Sequence, residues 1–503
     1  MVATSLVWIF NYRLHFNGFF WNDSHDYNQI ARNIYEGKGF VTSTLRPQSF
    51  VFFKTIPHPE MYRLPIYPYI LAGFFKLYGV NDFAAAFSNG LFFVLFIPAV
   101  FIFSRELSGS NLIGIFSSVI VLFSKFFLKL SITGSTDVIY TFVFVVFMIV
   151  YVKYPGRLVL QGVLIGIMYL FRPNTVFFFL PWVILEFGMN PKQWLVRRAD
   201  FTKVALSFLV VASIYYIRNY FVYGTPFFSI HRYDLLIYTK TFPGYTFIVQ
   251  SSDIDVMGFV LGHLDEMIQQ MQQIAKWVLR DSLNFYGYGF LFIFGSAFIL
   301  PAKKEKVSKL KKNILMFIIL QTVMLLPVWN ETRYYVFVVP VLVTILGIQV
   351  KDLLDKKSRL FTYAALAVFI VIVFFSSINW WKAGKPLNEL ADLGGVVKEI
   401  TQKNDVIASD IAWEINWYAD RKTVWLPYDL ETMDKISKSV HIDYVFLSLN
   451  IWRPVASYKN NIWQRLFFEA GSFKVPGLKL VKVFYYGKSP SGILYKVETN
   501  HKE

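Results

Sequence analysis

Long apolar segments recur over the first three quarters of the chain, at lengths that suit membrane spans. A helix needs about 20 predominantly apolar residues to cross a bilayer. Such segments lie near residues 84–104, 110–130, 137–152, 203–222, 284–301, 313–329, 333–350 and 359–379. A further segment, 157–188, is too long for one ordinary span and is interrupted by Arg172-Pro173, so it fits either one kinked helix or a hairpin of two short helices. The pattern predicts a polytopic α-helical membrane protein with about 11 to 13 spans.

The positions of Lys and Arg favour the hairpin. Basic residues concentrate in the connections 189–203, 302–312 and 351–359. These connections share one side of the membrane if 157–188 is a hairpin with its tip near Arg172, and that side is expected to be cytoplasmic because cytoplasmic loops retain Lys and Arg. The outer side then receives the tips near 131–137, Arg172 and 329–333, the loop at about 223–283, and everything after about residue 380.

Hydropathy leaves the start of the chain open. The segment 64–79 is apolar but short, and it contains two prolines and Lys76. If it spans the membrane, residues 13–63 lie inside, and if it only dips into the membrane, they lie outside. Within this region, residues 24–36 place apolar residues at helical spacing from Tyr27, which predicts an amphipathic helix.

The pattern changes after about residue 385, where short β-branched or apolar runs alternate with helix-like stretches. The runs are 406–410, 423–427 and 443–448, and the helical stretches lie near 389–402, 411–419 and 429–438. This alternation predicts a small α/β domain with a mainly parallel sheet. The predicted organisation is a transmembrane module at 1–381, with an outer loop at about 223–283, and an extracytoplasmic α/β domain at 382–503.

Composition excludes several classes of protein. Hydrophobic residues make up 55% of the 503 residues and charged residues only 17%, which argues against a soluble enzyme and against disorder. The formal charge of +17 fits cytoplasmic loops better than nucleic-acid binding. The chain has no cysteine, no HExxH motif, no P-loop and no nucleophile elbow, so zinc hydrolases, ATP-driven transporters and α/β hydrolases have no support.

Two acidic residues at predicted membrane edges are candidates for chemistry. Asp23 precedes the amphipathic helix and could simply be its N-cap, a role in which Asp is favoured. Asp137 begins an apolar span and could likewise be a cap or an interfacial charge. Ionisable groups at such positions are nevertheless costly to bury and mark functional sites by default.

Arginine and glutamate side chains fall on the same predicted face. Glu331 and Arg333 stand two residues apart in a tight tip, where they either pair with each other or cap the next helix. Arg172 suits an anionic head group, because a guanidinium presents a planar fork of donors to phosphate oxygens.

Several segments resemble membrane glycosyltransferases of the GT-C fold, specifically the protein mannosyltransferase and aminoarabinose transferase superfamily. The matching segments are DSHDYNQIARNIYEGKGF (23–40), YRLPIYPYILAGFFKLYG (62–79), LSITGSTDVIYTF (130–142), YLFRPNTVFFFLPW (169–182), NETRYYVFVVPVL (330–342) and ASDIAWEINWYADRKTVWLP (408–427). They occur in the family's order over nearly the whole chain. The chain departs from the mannosyltransferases at Ser24, where an Asp-Glu pair is common.

The resemblance implies a role for each candidate. Asp23 corresponds to the catalytic base or acceptor-positioning carboxylate, and Asp137 to a second acid lining the same cavity. The implied substrate-binding residues are Arg63, Tyr67, Arg172, Glu331, Arg333 and Tyr334, followed by Asp26 and Arg32. The resemblance also places residues 13–63 outside, so that a first outer loop covers about 16–83, and it makes 64–79 a membrane-associated or re-entrant piece.

The resemblance further implies transfer of a hexose or pentose, with inversion, from a polyprenyl-phosphate donor to a lipid, glycan or protein acceptor at the outer face of the cell membrane. It implies no certain cofactor. Whether Asp23 and Asp137 together hold a divalent cation is left open by the sequence. The alternative from another class is a polytopic lipid or solute transporter or flippase. Such proteins tend to place ionisable groups near the membrane midplane and to contain inverted repeats, and neither pattern is evident here. A non-catalytic relative is a third possibility.

Overall fold

A computed structural model describes residues 1–183, 186, 191–328, 330–354, 358–385, 388–449, 461–486 and 489–498. The helices up to residue 382 are α1 (Val2–His15), α2 (Asn22–Tyr35), α3 (Ile66–Tyr78), α4 (Asp82–Ser108), α5 (Asn111–Leu122), α6 (Lys125–Leu130), α7 (Asp137–Lys153), α8 (Leu158–Phe171), α9 (Thr175–Val183), α10 (Pro191–Tyr223), α11 (Val256–Gly262), α12 (Leu264–Tyr286), α13 (Tyr288–Ile299), α14 (Glu305–Leu325), α15 (Val339–Leu354) and α16 (Arg359–Lys382). Short 3₁₀ helices occupy Pro47–Val51, Ile230–Leu235 and Thr332–Val338.

The later elements are α17 (Glu389–Ile400), α18 (Ala412–Ala419), α19 (Leu430–Ser437) and α20 (Ile462–Phe468). The strands are β1 (Val41–Thr42), β2 (Thr44–Leu45), β3 (His58–Pro59), β4 (Val406–Ser409), β5 (Lys422–Trp425), β6 (Tyr444–Ser448), β7 (Leu478–Tyr486) and β8 (Ser489–Val497). The predicted fold class, a polytopic helical membrane protein with a C-terminal α/β domain, is confirmed.

Helices long and apolar enough to cross a membrane number four within the described residues. They are Asp82–Ser108, Arg197–Tyr223, Thr332–Leu354 and Arg359–Lys382. The chain bends by 108° between α12 and α13, and these two helices add a fifth span if they count as one. The sequence predicts about 11 to 13 spans, which is more than this count. Hydropathy counts apolar length and does not register every break, and here 110–130 divides into α5 and α6. The break predicted in 157–188 at Arg172-Pro173 is present, because α8 ends at Phe171 and α9 begins at Thr175. Several residues of the predicted segments lie outside the described residues: 184, 185, 187 and 188 of the hairpin, 189, 190 and 355–357 of the basic connections, and 329 of the outer tip.

The basic connections meet at one end of the helices. Lys304 donates to the carbonyl of Ser108 at the end of α4, and Lys306 donates to the carbonyl of Val152 at the end of α7, each at 3.1 Å. Lys303 donates to the carbonyl of Asp352 at 2.5 Å. Lysines suit these positions because the last carbonyls of a helix lack partners and carry partial negative charge. The shared side predicted for 302–312 and 351–359 is therefore present in the structure.

The loop after α1 follows its predicted pattern. The amphipathic helix is α2, and α3, with 13 residues, is about 20 Å long by helical rise, so it is too short to cross a bilayer of about 30 Å alone. The two-residue strand β2 then leaves this loop and joins the C-terminal sheet, where Thr44 pairs with Thr423 of β5.

The C-terminal sheet has the order β2-β5-β4-β6-β8-β7. The first four strands are parallel, β8 is antiparallel to β6, and β7 is antiparallel to β8. All three predicted strands and all three predicted helices are found, whereas β7, β8 and α20 were not predicted. Separate hydrophobic cores lie on the two faces, one under α17 and α18 and the other under α19 and α20, so the sheet is covered on both sides. The division of the chain at residue 382 stays a prediction.

Contacts from α18 hold the C-terminal domain against α2 and α4. Arg32 donates to the carbonyl of Asn416 at 2.9 Å and pairs with Asp420 at 3.0 Å, and the indole of Trp417 donates to Asp82 at 2.6 Å. Gly18, with φ +98°, passes so close to the domain that a Cβ there would lie 1.9 Å from the Asn388 amide. The α2 helix is therefore fixed between the membrane helices and the C-terminal domain.

Candidate active site

The candidate residues come together from four separate parts of the chain. Asp23 lies in the first turn of α2, Asp137 begins α7, Arg172 follows α8, and Arg333 lies in the 3₁₀ helix Thr332–Val338. Asp23 is not the cap of α2, because Trp21 holds that position without a side-chain hydrogen bond. The interpretation of Asp23 as a simple N-cap is therefore wrong, and its carboxylate has other partners.

Asp23 is held by two guanidinium groups. Arg63 Nη2 donates to its Oδ1 at 2.7 Å, and Arg333 Nη2 donates to its Oδ2 at 2.5 Å. Burial alone raises the pKa of Asp23, but the charges of Arg63 and Arg333 outweigh it and lower that pKa well below its usual range. Asp23 is thus ionised and fully engaged by cations in this state of the protein.

Asp137 has a similar environment on the opposite side of Arg333. Its Oδ1 accepts from Arg172 Nη2 at 2.6 Å, its Oδ2 accepts from Ser135 Oγ at 2.7 Å, and Arg333 Nη1 lies 3.9 Å from Oδ2. The turn before it needs Gly134, whose φ is +65° and whose Cβ would meet the ring of Phe19 at 2.7 Å. Arg333 therefore stands between the two acids.

Asp26 is fully buried behind Asp23 and also binds two arginines. Its Oδ2 accepts from Arg46 Nη2 and from Arg63 Nε, each at 2.7 Å. Arg63 thereby bridges Asp26 and Asp23 with different nitrogens. We infer that Asp26 fixes the orientation of Arg63, which a planar guanidinium permits and an ammonium does not.

The tip after α14 has the predicted pairing of Glu331 with Arg333, in which Arg333 Nε donates to Glu331 Oε2. Tyr334 lies beside the cluster, with its ring 5.7 Å from the Arg172 guanidinium and 5.9 Å from that of Arg333. Two other candidates face elsewhere. Tyr67 is fully buried and donates to Asn89 at 3.0 Å, and Arg32 binds the C-terminal domain.

The charges of this cluster balance. Four carboxylates (Asp23, Asp26, Asp137, Glu331) meet four guanidiniums (Arg46, Arg63, Arg172, Arg333) in direct ion pairs. No group of three or more His, Asp or Glu that could hold a metal ion occurs among the described residues. The two acids considered as metal ligands converge on the guanidinium of Arg333 instead. Any anionic ligand must therefore compete with carboxylates for these guanidiniums.

Two cavities meet at Asp23. The first, of about 730 Å³, extends from Asp23, Arg63 and Arg46 to the C-terminal domain at Trp413 and Glu414. The second, of about 480 Å³, extends from Asp23 and Arg333 to α12 at Trp277 and Phe285. Phe20, Asn22 and Tyr245 also line both cavities. Asp23 consequently has access to two different compartments.

Sequence patterns did not single out Arg46, Tyr62 or Glu414. Arg46 stacks on Tyr62 at 3.9 Å while binding Asp26, and it lies in an irregular loop where no periodicity applies. Glu414 lies in α18, a helix buried on nearly all sides; its side chain is 2% exposed, and its Oε1 lies 4.0 Å from His25 Nδ1. An acidic residue within the largely apolar α18 stretch was the one available signal for Glu414.

Glu414 and His25 are both neutral near pH 7. Burial lowers the pKa of His25 to about 3 and raises the pKa of Glu414 to about 8. Because the folded-state pKa of Glu414 exceeds its ordinary value of 4.5, its contribution to stability is present in full below pH 4.5 and is lost as the pH rises through about 8.

We expect Glu414→Gln to remove this loss, since glutamine keeps the shape and cannot ionise. Between pH values below 4.5 and above 8, the native protein should lose stability that the variant keeps. The melting temperature of the variant minus that of the native protein should therefore increase by several degrees over this range. Thermal unfolding over this range tests it, with the exposed Glu469→Gln as control. Parallel curves for native protein and Glu414→Gln would show that burial does not hold the proton on Glu414.

Comparisons with known proteins agree with this architecture. A model of the dolichyl-phosphate-mannose-protein mannosyltransferase family matches residues 57–216, a part of the chain that contains Arg63, Asp137 and Arg172. No curated protein sequence gives a significant match.

Solved structures match over nearly the full length. An oligosaccharyltransferase of Archaeoglobus fulgidus, solved with zinc and sulfate, is 14% identical with a TM-score of 0.59, covering 99% of this chain and 73% of its own. ArnT of Cupriavidus metallidurans, bound to undecaprenyl phosphate, is 12% identical with a TM-score of 0.57, covering 98% and 97%. AglB of A. fulgidus, with an inhibitory peptide and a dolichol-phosphate, is 12% identical with a TM-score of 0.56, covering 90% and 69%. This chain therefore has the fold of the GT-C membrane glycosyltransferases.

Proposed function

We propose that the protein is a membrane glycosyltransferase that moves a sugar from a polyprenyl-phosphate donor to an acceptor at the extracytoplasmic face, with inversion at the anomeric carbon. The observation that carries this proposal is the position of Asp23, where the two cavities meet and two arginines bind its carboxylate. The reaction requires the donor and the acceptor to bind on either side of one general base. With one cavity on each side of it, Asp23 has this position.

The cavity beside Arg333 suits the donor. Arg333 supplies a cation for the phosphate, and α12 forms the opposite wall. The apolar residues Leu264, Ile268, Leu279 and Leu283 are exposed along one face of α12. An amphipathic helix with such a face lies in the membrane interface, so a lipid-linked donor can approach beneath α12. Two structures with the same fold contain undecaprenyl phosphate and dolichol-phosphate, which are ligands of this class.

Donor binding would also prepare the base. Asp23 is a weak base while Arg63 and Arg333 bind it, since its pKa is well below the usual range. A phosphate that draws the guanidiniums away releases the carboxylate and raises its pKa. Asp23 then becomes competent only when the donor is present, which limits side reactions in its absence.

The bonds then change in one displacement. The acceptor hydroxyl oxygen forms a bond to the anomeric carbon, and the bond from that carbon to the phosphate oxygen breaks with its electron pair going to the phosphate. Asp23 takes the hydroxyl proton, and Arg333 and Arg63 stabilise the departing polyprenyl phosphate. Attack from the side opposite the leaving group inverts the configuration.

Incubation of the purified full-length protein with polyprenyl-phosphate sugars and candidate acceptors tests the proposal. We expect release of polyprenyl phosphate in step with formation of a product of inverted anomeric configuration. In proteoliposomes, we expect a membrane-impermeant acceptor to be glycosylated only when it is added on the side that carries the C-terminal domain. Movement of intact donor across the bilayer without cleavage would instead identify a flippase.

A further inference from the structure

The larger cavity lies at the carboxyl ends of the parallel strands of the C-terminal sheet. Its walls include Asp410 directly after β4, Trp425 at the end of β5, and Ser448 at the end of β6. Because β5 and β6 lie on opposite sides of β4, the strand order reverses at β4. In open α/β sheets, ligands bind in the crevice at this position. The cavity therefore lies where α/β sheets bind their ligands.

Aromatic rings form one side of the cavity. Trp413 and Trp425 meet at 4.8 Å in an edge-to-face arrangement, and Tyr245 reaches across from the outer loop to within 6.0 Å of Trp425. Trp425 and Tyr245 are only partly buried. Partly exposed aromatic rings in a cavity offer flat apolar faces together with polar edges.

Two buried polar atoms in the same wall have no hydrogen-bond partner among the described residues. Glu414 is 2% exposed and Trp413 5% exposed, yet Glu414 Oε2 and Trp413 Nε1 have no hydrogen-bond partner among the described residues. Buried polar atoms are normally paired, so these two indicate a ligand or water in the cavity. Asp410 is already oriented by the amide and hydroxyl of Ser448, at 2.9 and 2.6 Å.

The acidic residues of this wall disfavour anions. Among the described residues, the C-terminal domain lines the cavity with Glu389 and Asp410, with Glu414, which is neutral near pH 7, and with no Lys, Arg or His. On the facing wall, the basic side chains of Arg46, Arg63 and His231 are already paired, with Asp26, Asp23 and Asp234 respectively. Phosphorylated or carboxylated acceptors would therefore meet like charge.

We propose that this cavity is the acceptor subsite and that the acceptor is an uncharged oligosaccharide. Trp425 and Tyr245 stack against its sugar rings, the indole N–H of Trp413 donates a hydrogen bond to it, and Asp410 and Glu414 hydrogen-bond its hydroxyl groups. The assignment as acceptor subsite rests on the proposed function. It places a sugar hydroxyl at the Asp23 end of the cavity, where the proton is removed.

Binding of free sugars to the purified full-length protein, without donor, tests this subsite separately from catalysis. We expect neutral mannose-, glucose- or galactose-based tetrasaccharides to bind at least about tenfold more tightly than tetragalacturonate or a Ser/Thr-rich peptide. Trp425→Ala should weaken sugar binding about tenfold or more, whereas Trp425→Phe, which keeps a ring, should lose less. Tyr485→Ala, at a 66% exposed residue outside the cavity, is the matched control.

Each outcome is decisive. Any of three results overturns the subsite. These are tetrasaccharide binding that is unchanged in Trp425→Ala, no tetrasaccharide binding at all, and a preference for the peptide or for tetragalacturonate. If tetrasaccharides bind as expected but polyprenyl-phosphate sugars are never cleaved, the glycosyltransferase assignment fails instead. Melting temperatures of both Trp425 variants separate loss of the ring from loss of the fold.

Discussion

Asp23→Asn is expected to lower kcat for sugar transfer by about 10²- to 10⁴-fold, the usual contribution of a positioned general base. Asparagine keeps the size and can still accept a hydrogen bond, but it cannot take the acceptor proton. Arg63 and Arg333 remain paired with Asp26 and Glu331, so the local structure should survive. Initial rates with labelled donor measure the effect, and Asp265→Asn, an exposed carboxylate at the start of α12, is the control.

The pH dependence of the native enzyme gives an independent check on Asp23. Activity requires ionised Asp23, so it falls as the pH drops through the pKa of that group. In the free protein this pKa is far below the usual range, so kcat/KM should show no acid limb near the ordinary value of 3.8. Once the donor draws the arginines away, the pKa rises, and kcat should show an acid limb at higher pH than kcat/KM. Coincident limbs, or a near-native kcat for Asp23→Asn, would remove Asp23 from the role of base.

Arg333→Lys is expected to lower kcat by about 10²- to 10³-fold, comparable to loss of a group that stabilises charge developing in a transition state. Arg333 presents separate nitrogens to Asp23, Glu331 and Asp137, which a single ammonium cannot do. Lysine retains the positive charge, so a large loss would show that geometry as well as charge is needed. Rates at saturating donor separate this effect from weaker donor binding.

Arg105→Gln provides the control for Arg333→Lys. Arg105 lies at the other end of α4 from the site and pairs with its neighbour Glu106 at 3.1 Å. We expect native kcat and donor KM for this variant. If Arg333→Lys retains native kcat and changes only donor KM, Arg333 binds the donor without stabilising the leaving phosphate.

The local patterns of the sequence predicted most of the regular elements. Alternation of apolar runs with helical stretches located β4, β5 and β6, because strand and helix periodicities are properties of neighbouring residues. The run LKLVKVFYY at 478–486, rich in Val, Phe and Tyr and free of Gly and Pro, was a comparable signal for β7. By contrast, β2 contains two residues and has no periodicity, so its place in the sheet depends on pairing with β5.

The sequence by itself determined the membrane class, the basic connections on one side and the identity of most charged candidates, since these follow from composition and local order. The tertiary structure decided how those charges combine. Asp23 and Arg333 are 310 residues apart and in direct contact, and no local rule determines such a distance. Only packing could reveal that Arg46 and Asp26 support Arg63, that Tyr67 and Arg32 face other partners, and that every guanidinium of the cluster is paired with a carboxylate. Burial makes this pairing necessary, because an isolated charge is too costly away from water.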